Sequence, residues 1–131
     1  MAEGLRLLAV EDQPANVALL RAVLGRSSAP ELNAAKLAVA GTLAEARALL
    51  AGEPFDLVLL DVRLPDGNGL DLAREVADRP RRPRVVVLTA NALPGDETAA
   101  RDAGADAFIP KPYQPSLLVA TLLELAPTAP A

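Results

Sequence analysis

The sequence predicts an α/β domain built on a doubly wound parallel sheet, and three observations carry that prediction. Apolar runs without polar alternation, such as residues 55–60 (FDLVLL) and 84–89 (RVVVLT), read as strands buried on both faces. Stretches with helical spacing of three and four residues lie between such runs. The order is β then α, five times over, which implies parallel strands with helices on either side.

Each element has its own local reason. Residues 6–10 (RLLAV) form the first strand, and Pro14 suits the first turn of the helix after it, where a missing N–H costs nothing. Val17, Leu20 and Leu24 give that helix its apolar face. Residues 36–40 (KLAVA) are the second strand. Thr42 followed by Glu45 is a capping-box signature for the next helix, with Ala46, Leu49 and Leu50 facing inward. After the third strand, residues 55–60, Leu70, Ala73 and Ala77 recur at helical spacing. After the fourth, residues 84–89, Pro94 is expected in the first turn of a helix. The fifth strand is residues 105–109, and Pro115 opens the last helix. There Leu117, Leu118, Val119, Leu122, Leu123 and Leu125 spread around most of the circumference. A helix apolar all round wants a second partner besides the sheet. One domain is expected over residues 1–126, with 127–131 (PTAPA) a frayed tail or linker stub.

Composition narrows the chemistry. The chain has 131 residues, 51% of them hydrophobic and 23% charged, enough for one packed core. With no cysteine and no histidine, disulfides, thiolate sites, histidine-ligated zinc and the Ser-His-Asp triad are excluded. A net charge of −4 argues against a nucleic-acid-binding domain. Arginines alternating with prolines at Arg79, Arg81, Arg82 and Arg84 read as a solvated loop rather than a binding patch. No run approaches a membrane span, and MAEGLRLL lacks the basic lead and long apolar region of a secretion signal. A cytoplasmic domain with no membrane contact is expected.

Open α/β sheets form their sites beyond the carboxyl ends of the strands. Glu11 and Asp12 follow the first strand, Asp61 the third, Thr89 ends the fourth, and Lys111 and Pro112 follow the fifth. Three carboxylates cannot crowd together ionised without a cation, and clustered hard oxygens suit Mg²⁺. Only Lys36 and Lys111 are lysines among thirteen basic residues, so a lysine at a strand end is informative. A carboxylate can itself be the nucleophile, forming an aspartyl phosphate. Phosphoryl transfer needs positioning and charge neutralisation more than acid–base groups, which fits a site without histidine. The set reads as metal-assisted phosphorylation of one aspartate.

The segments VEDQPAN (10–16), LLDVRLPDGNGL (59–70), VVLTAN (86–91) and GADAFIPKPY (104–113) resemble the receiver domain of two-component response regulators, in order and over nearly the whole chain. The resemblance implies a flavodoxin-like sheet of five parallel strands in the order 2-1-3-4-5, with five helices. It implies Asp61 as phosphoacceptor, and Glu11, Asp12, Asp61 and the backbone carbonyl of Arg63 around Mg²⁺. Thr89 and Lys111 would contact the phosphoryl group, and the Lys111–Pro112 peptide would be cis. Thr89 and Phe108 would form the switch, and Arg63 and Asn91 would tune the lifetime of the phosphoryl group. Tyr113 is read as packing.

The implied partners are a histidine kinase or histidine phosphotransfer protein as donor, and a downstream protein on the face of helix 4, strand 5 and helix 5. A phosphorylation-dependent dimer is a further expectation. No catalysis is expected beyond the domain's own phosphorylation and dephosphorylation. A haloacid-dehalogenase-type phosphohydrolase would need an Asp where Arg63 stands. A flavodoxin would need a hydroxyl- and glycine-rich loop where Glu11 and Asp12 would repel phosphate. Two readings stay open: a phosphorylation-independent interaction module, and a receiver cut from a hybrid kinase or larger regulator.

Overall fold

A computed structural model of the chain describes residues 5–79, 82–89, 93–111 and 114–126. Five parallel strands form one sheet: β1 (Arg6–Val10), β2 (Lys36–Ala40), β3 (Leu57–Asp61), β4 (Arg84–Thr89) and β5 (Ala107–Pro110), in spatial order β2-β1-β3-β4-β5. The principal helices are α1 (Pro14–Arg26), α2 (Leu43–Gly52), α3 (Gly69–Ala77), α4 (Asp96–Asp102) and α5 (Pro115–Leu125). A single helical turn, Pro30–Asn33, precedes β2. A two-stranded hairpin, Arg63–Leu64 with Gly67–Asn68, follows β3. This is the predicted fold with the predicted strand order.

The apolar runs lack alternation because both faces of each central strand are covered. Leu7, Ala9, Leu57, Leu59, Val86, Leu88 and Ile109 pack with α1, the Pro30–Asn33 turn and α5. Leu8, Val10, Val58, Leu60, Val85 and Val87 pack on the other side with α2, α3 and α4. Leu7, Leu8, Leu57 and Leu60 are fully inaccessible to solvent. Each such side chain contributes about 1.5–3 kcal/mol by leaving water.

Pro14 and Pro115 open their helices as expected. Pro94 does not. Gly95 takes φ 91°, a left-handed conformation no helix interior accepts, and α4 starts only at Asp96. The third strand begins at Leu57 rather than at residue 55, because the Asp56 carboxylate accepts the Arg6 N–H at 2.8 Å as a lead-in to the ladder. The fifth likewise begins two residues late, at Ala107. Asp106 is occupied just before it, accepting the Val85 N–H at 2.8 Å and N–H groups of the two terminal Arg82 guanidinium nitrogens, Nη2 at 2.8 Å and Nη1 at 2.9 Å. The reading of Arg82 as solvated is therefore overturned. It is half-buried and pairs with Asp106 beside the amino-terminal ends of β4 and β5.

The last helix is covered more fully than its sequence suggests. Leu118 and Leu122 are fully buried, and Val119, Leu123 and Leu125 pack against the same core. Leu117 stays 51% exposed. No helix among the described residues is long and apolar enough to cross a membrane.

Candidate functional site

The strands run in one direction, so their carboxyl ends converge on one edge. Glu11 follows β1 directly, and its N–H donates to Ala40 O at 2.9 Å, which extends the β1–β2 pairing by one rung. That continuation leaves Glu11 buried, while Asp12 turns out to solvent. Asp61 is the last residue of β3 and half-buried. One oxygen from each of Glu11, Asp12 and Asp61 lies within 4.8 Å of the others.

Lys111 reaches this cluster from the end of β5. Its N–H donates to Thr89 O at 2.6 Å, so the ends of β4 and β5 are tied together. Its Nζ donates to Glu11 Oε1 at 2.6 Å and to Asp61 Oδ2 at 3.4 Å. Glu11 Oε2 accepts the Gln13 N–H at 3.1 Å. Thr89 is 4% exposed and borders the same cleft, of about 560 Å³, as Asp12, Asp61, Arg63 and Lys111. One ammonium among three carboxylates leaves the cluster short of positive charge. Its donors are all hard oxygens, and the cleft beside them is open to water, so the residues fit a small divalent cation.

Phe108 lies outside the cleft. The β4–β5 register pairs it with Val87, so it stands diagonal to Thr89 on the same sheet face, half-buried against the core under α4. Asn91, Pro112 and Tyr113 fall outside the described residues, and with them the expected cis peptide and one of the two tuning positions.

The hairpin after Asp61 is held at both ends. Gly69 N–H donates to Val62 O at 2.6 Å, and a Cβ on Gly69 would collide with the Asp61 carbonyl oxygen. Asn68 Oδ1 accepts the Leu70 N–H at 2.8 Å, capping α3. At the tip, Asp66 accepts the Leu43 N–H at 2.8 Å and the Ala44 N–H at 3.1 Å, capping α2 from another segment of the chain. The Leu43 N–H bond, the largest influence, holds the Asp66 carboxyl below its ordinary range, against a smaller opposing effect of burial. Thr42 caps the same helix by accepting the Glu45 N–H at 3.1 Å, as the capping-box signature predicts.

Asp66 and Gln13 are the site-supporting residues that the sequence reading missed. Asp-Gly at a turn signals a bend, but nothing local names a partner 23 residues upstream.

A doubly wound α/β sheet with an acidic cluster at its carboxyl edge defines the class of protein. The chain belongs to the response regulator receiver domain family, whose profile matches residues 7–123. It is 40% identical over 123 residues to the response regulator protein PilR of Pseudomonas aeruginosa, covering 92% of this chain and 26% of that protein. It is 40% identical over 122 residues to the aerobic respiration control sensor protein ArcB of Escherichia coli, covering 91% and 15%. A crystal structure of a CheY-like response regulator receiver domain protein from Methanospirillum hungatei superposes with a TM-score of 0.80, at 28% identity over 92% of each chain. The chain thus spans well under half the length of PilR and ArcB.

Proposed function

We propose that this domain is the phosphoacceptor of a two-component phosphorelay, with Asp61 taking the phosphoryl group from a phosphohistidine. The observation that carries the reading is the joint placement of Asp61, Asp12, Thr89 and Lys111 around one cleft at the switch point of the sheet. Glu11, Asp12, Asp61 and the Arg63 carbonyl are the groups that would hold Mg²⁺, whose chemistry is to neutralise charge on the phosphoryl oxygens.

In the transfer step an Asp61 carboxylate oxygen forms a bond to phosphorus as the phosphorus–nitrogen bond of the donor breaks. The imidazole leaves and takes its proton from solvent. Lys111, already 3.4 Å from Asp61, pairs with the new phosphoryl group. Thr89 donates its hydroxyl to a phosphoryl oxygen. Drawing Thr89 toward the cleft frees space on the sheet face that it shares with Phe108, and Phe108 repacks into it. The result is a population shift between two packings, biased by a local change of charge.

The donor is a histidine kinase or histidine phosphotransfer protein, and the signal leaves through the face of α4, β5 and α5. Support comes from the family membership and from the exposed Leu117 on α5. The test is Asp12→Ala. With a small-molecule phosphodonor, Mg²⁺-dependent phosphoryl uptake is expected to disappear while the fold, read by circular dichroism, stays intact. Retained Mg²⁺-dependent uptake would remove Asp12 from the metal site.

A further inference from the structure

We propose that Asp66 is a positioning residue for the metal site, acting through the start of α2. The inference rests on the metal reading above and goes beyond it, because Asp66 touches neither the cleft nor the proposed ion.

Two halves of the proposed metal site sit on separate segments. Glu11 and Asp12 follow β1, whereas the Arg63 carbonyl sits on the hairpin after β3. No ladder bond joins that hairpin to the main sheet. The short segment from the end of β2 to the start of α2 makes one contact with each half. Ala40, three residues before the helix begins, accepts the Glu11 N–H at 2.9 Å. At Leu43 and Ala44 the helix donates its first two N–H groups to Asp66 on the hairpin tip, at 2.8 and 3.1 Å. These N–H groups have no partner within the helix, so a carboxylate that takes both is held in two directions at once. Gly67 rests beside it, its Cα so near the Leu43 side chain that an added Cβ would lie 3.0 Å from Cδ1.

Thr42 caps the same helix through its own hydroxyl, accepting the Glu45 N–H at 3.1 Å, and its side-chain hydrogen bonds go to Glu45 rather than to the hairpin. The helix therefore has two caps of different reach. Thr42 stabilises α2 alone, whereas Asp66 stabilises α2 and fixes the tip of the loop that carries Arg63. Loss of either weakens the helix, but only loss of Asp66 frees the hairpin to shift relative to Glu11 and Asp12.

The experiment is a Mg²⁺ titration of the whole chain followed by backbone amide shifts in NMR, with no phosphodonor present. Asp66→Ala is expected to weaken Mg²⁺ roughly tenfold, the scale of outer-shell substitutions at metal sites. Thr42→Ala is expected to lower the melting temperature comparably and leave the Mg²⁺ dissociation constant within about twofold of wild type, since the hydrogen bonds it breaks lie within α2 and its cap. Asp66→Asn keeps one acceptor for the helix N–H groups and recovers part of the affinity. Asp66→Ala with wild-type affinity overturns the proposal, as does Thr42→Ala with an equal loss, or an Asp66→Asn that folds and recovers nothing. A wild-type protein whose saturable Mg²⁺ binding survives Asp12→Ala is a different failure, since it overturns the metal site itself and this inference with it.

Discussion

The Lys111 ammonium donates to the Glu11 carboxylate at 2.6 Å, across 100 residues of chain, with side chains only 11% and 5% exposed. An ion pair this sheltered is costly to break from one side, because the remaining charge loses its partner without regaining water. Lys111→Met is expected to lower unfolding stability by about 3 kcal/mol in Mg²⁺-free urea denaturation. Adding Glu11→Gln removes the stranded charge and should recover much of that loss, giving a clear coupling in a double-mutant cycle. Additive losses would mean that the pair is not the connection described.

Gly69 is pressed against the carbonyl of the proposed phosphoacceptor, with no room for a Cβ. Its constraint is close approach, not a left-handed φ. Gly69→Ala should cost about 2–3 kcal/mol by forcing the hairpin off Asp61. Phosphoryl uptake should slow as well. A variant as stable as wild type would show that the hairpin yields cheaply.

Acid should unfold this domain partly through two aspartates. Burial pushes the Asp106 carboxyl upward, but the Arg82 hydrogen bonds, the Val85 N–H and the nearby guanidinium charges outweigh it and hold the group below its ordinary value. Asp66 is also held low, chiefly by the Leu43 N–H. A carboxyl depressed in the native state binds its proton more readily unfolded. The stability it supplies is therefore full above the unfolded value of about 3.9, and is lost as pH falls through the native value. Urea midpoints measured from pH 7 to pH 3 should fall along the acid limb, and Asp106→Asn should flatten that fall while lowering the plateau. An unchanged slope in Asp106→Asn would contradict the assignment.

The chain contains no tryptophan, so Phe108→Trp installs a single reporter on β5. The β4–β5 register sets this position diagonal to Thr89 on one sheet face. Beryllofluoride with Mg²⁺ should change the emission of Phe108→Trp, and Thr89→Ala on that background should abolish the change. An emission change that survives Thr89→Ala would uncouple the two residues.

The strands were legible because burial on both faces leaves only apolar residues to choose from, as at Leu57–Leu60 and Val85–Leu88. The strand-end acids and Lys111 were legible because they interrupt those runs abruptly. What the local sequence does not carry is set by distant partners. Arg82 looks like its neighbours in an arginine-rich loop until Asp106, 24 residues on, takes two of its nitrogens. Pro94 carries a helix-start signal that Gly95 cancels through its left-handed φ. The role of Asp66 depends on α2 lying beside a hairpin, a tertiary fact with no local trace.

Intact-protein mass spectrometry reads directly whether Asp61 accepts the phosphoryl group. Incubated with Mg²⁺ and a small-molecule phosphodonor, the wild-type chain should gain the mass of one phosphoryl group, and Asp61→Asn should gain none. No gain in wild type, or an equal gain in Asp61→Asn, would rule out Asp61 as the phosphoacceptor.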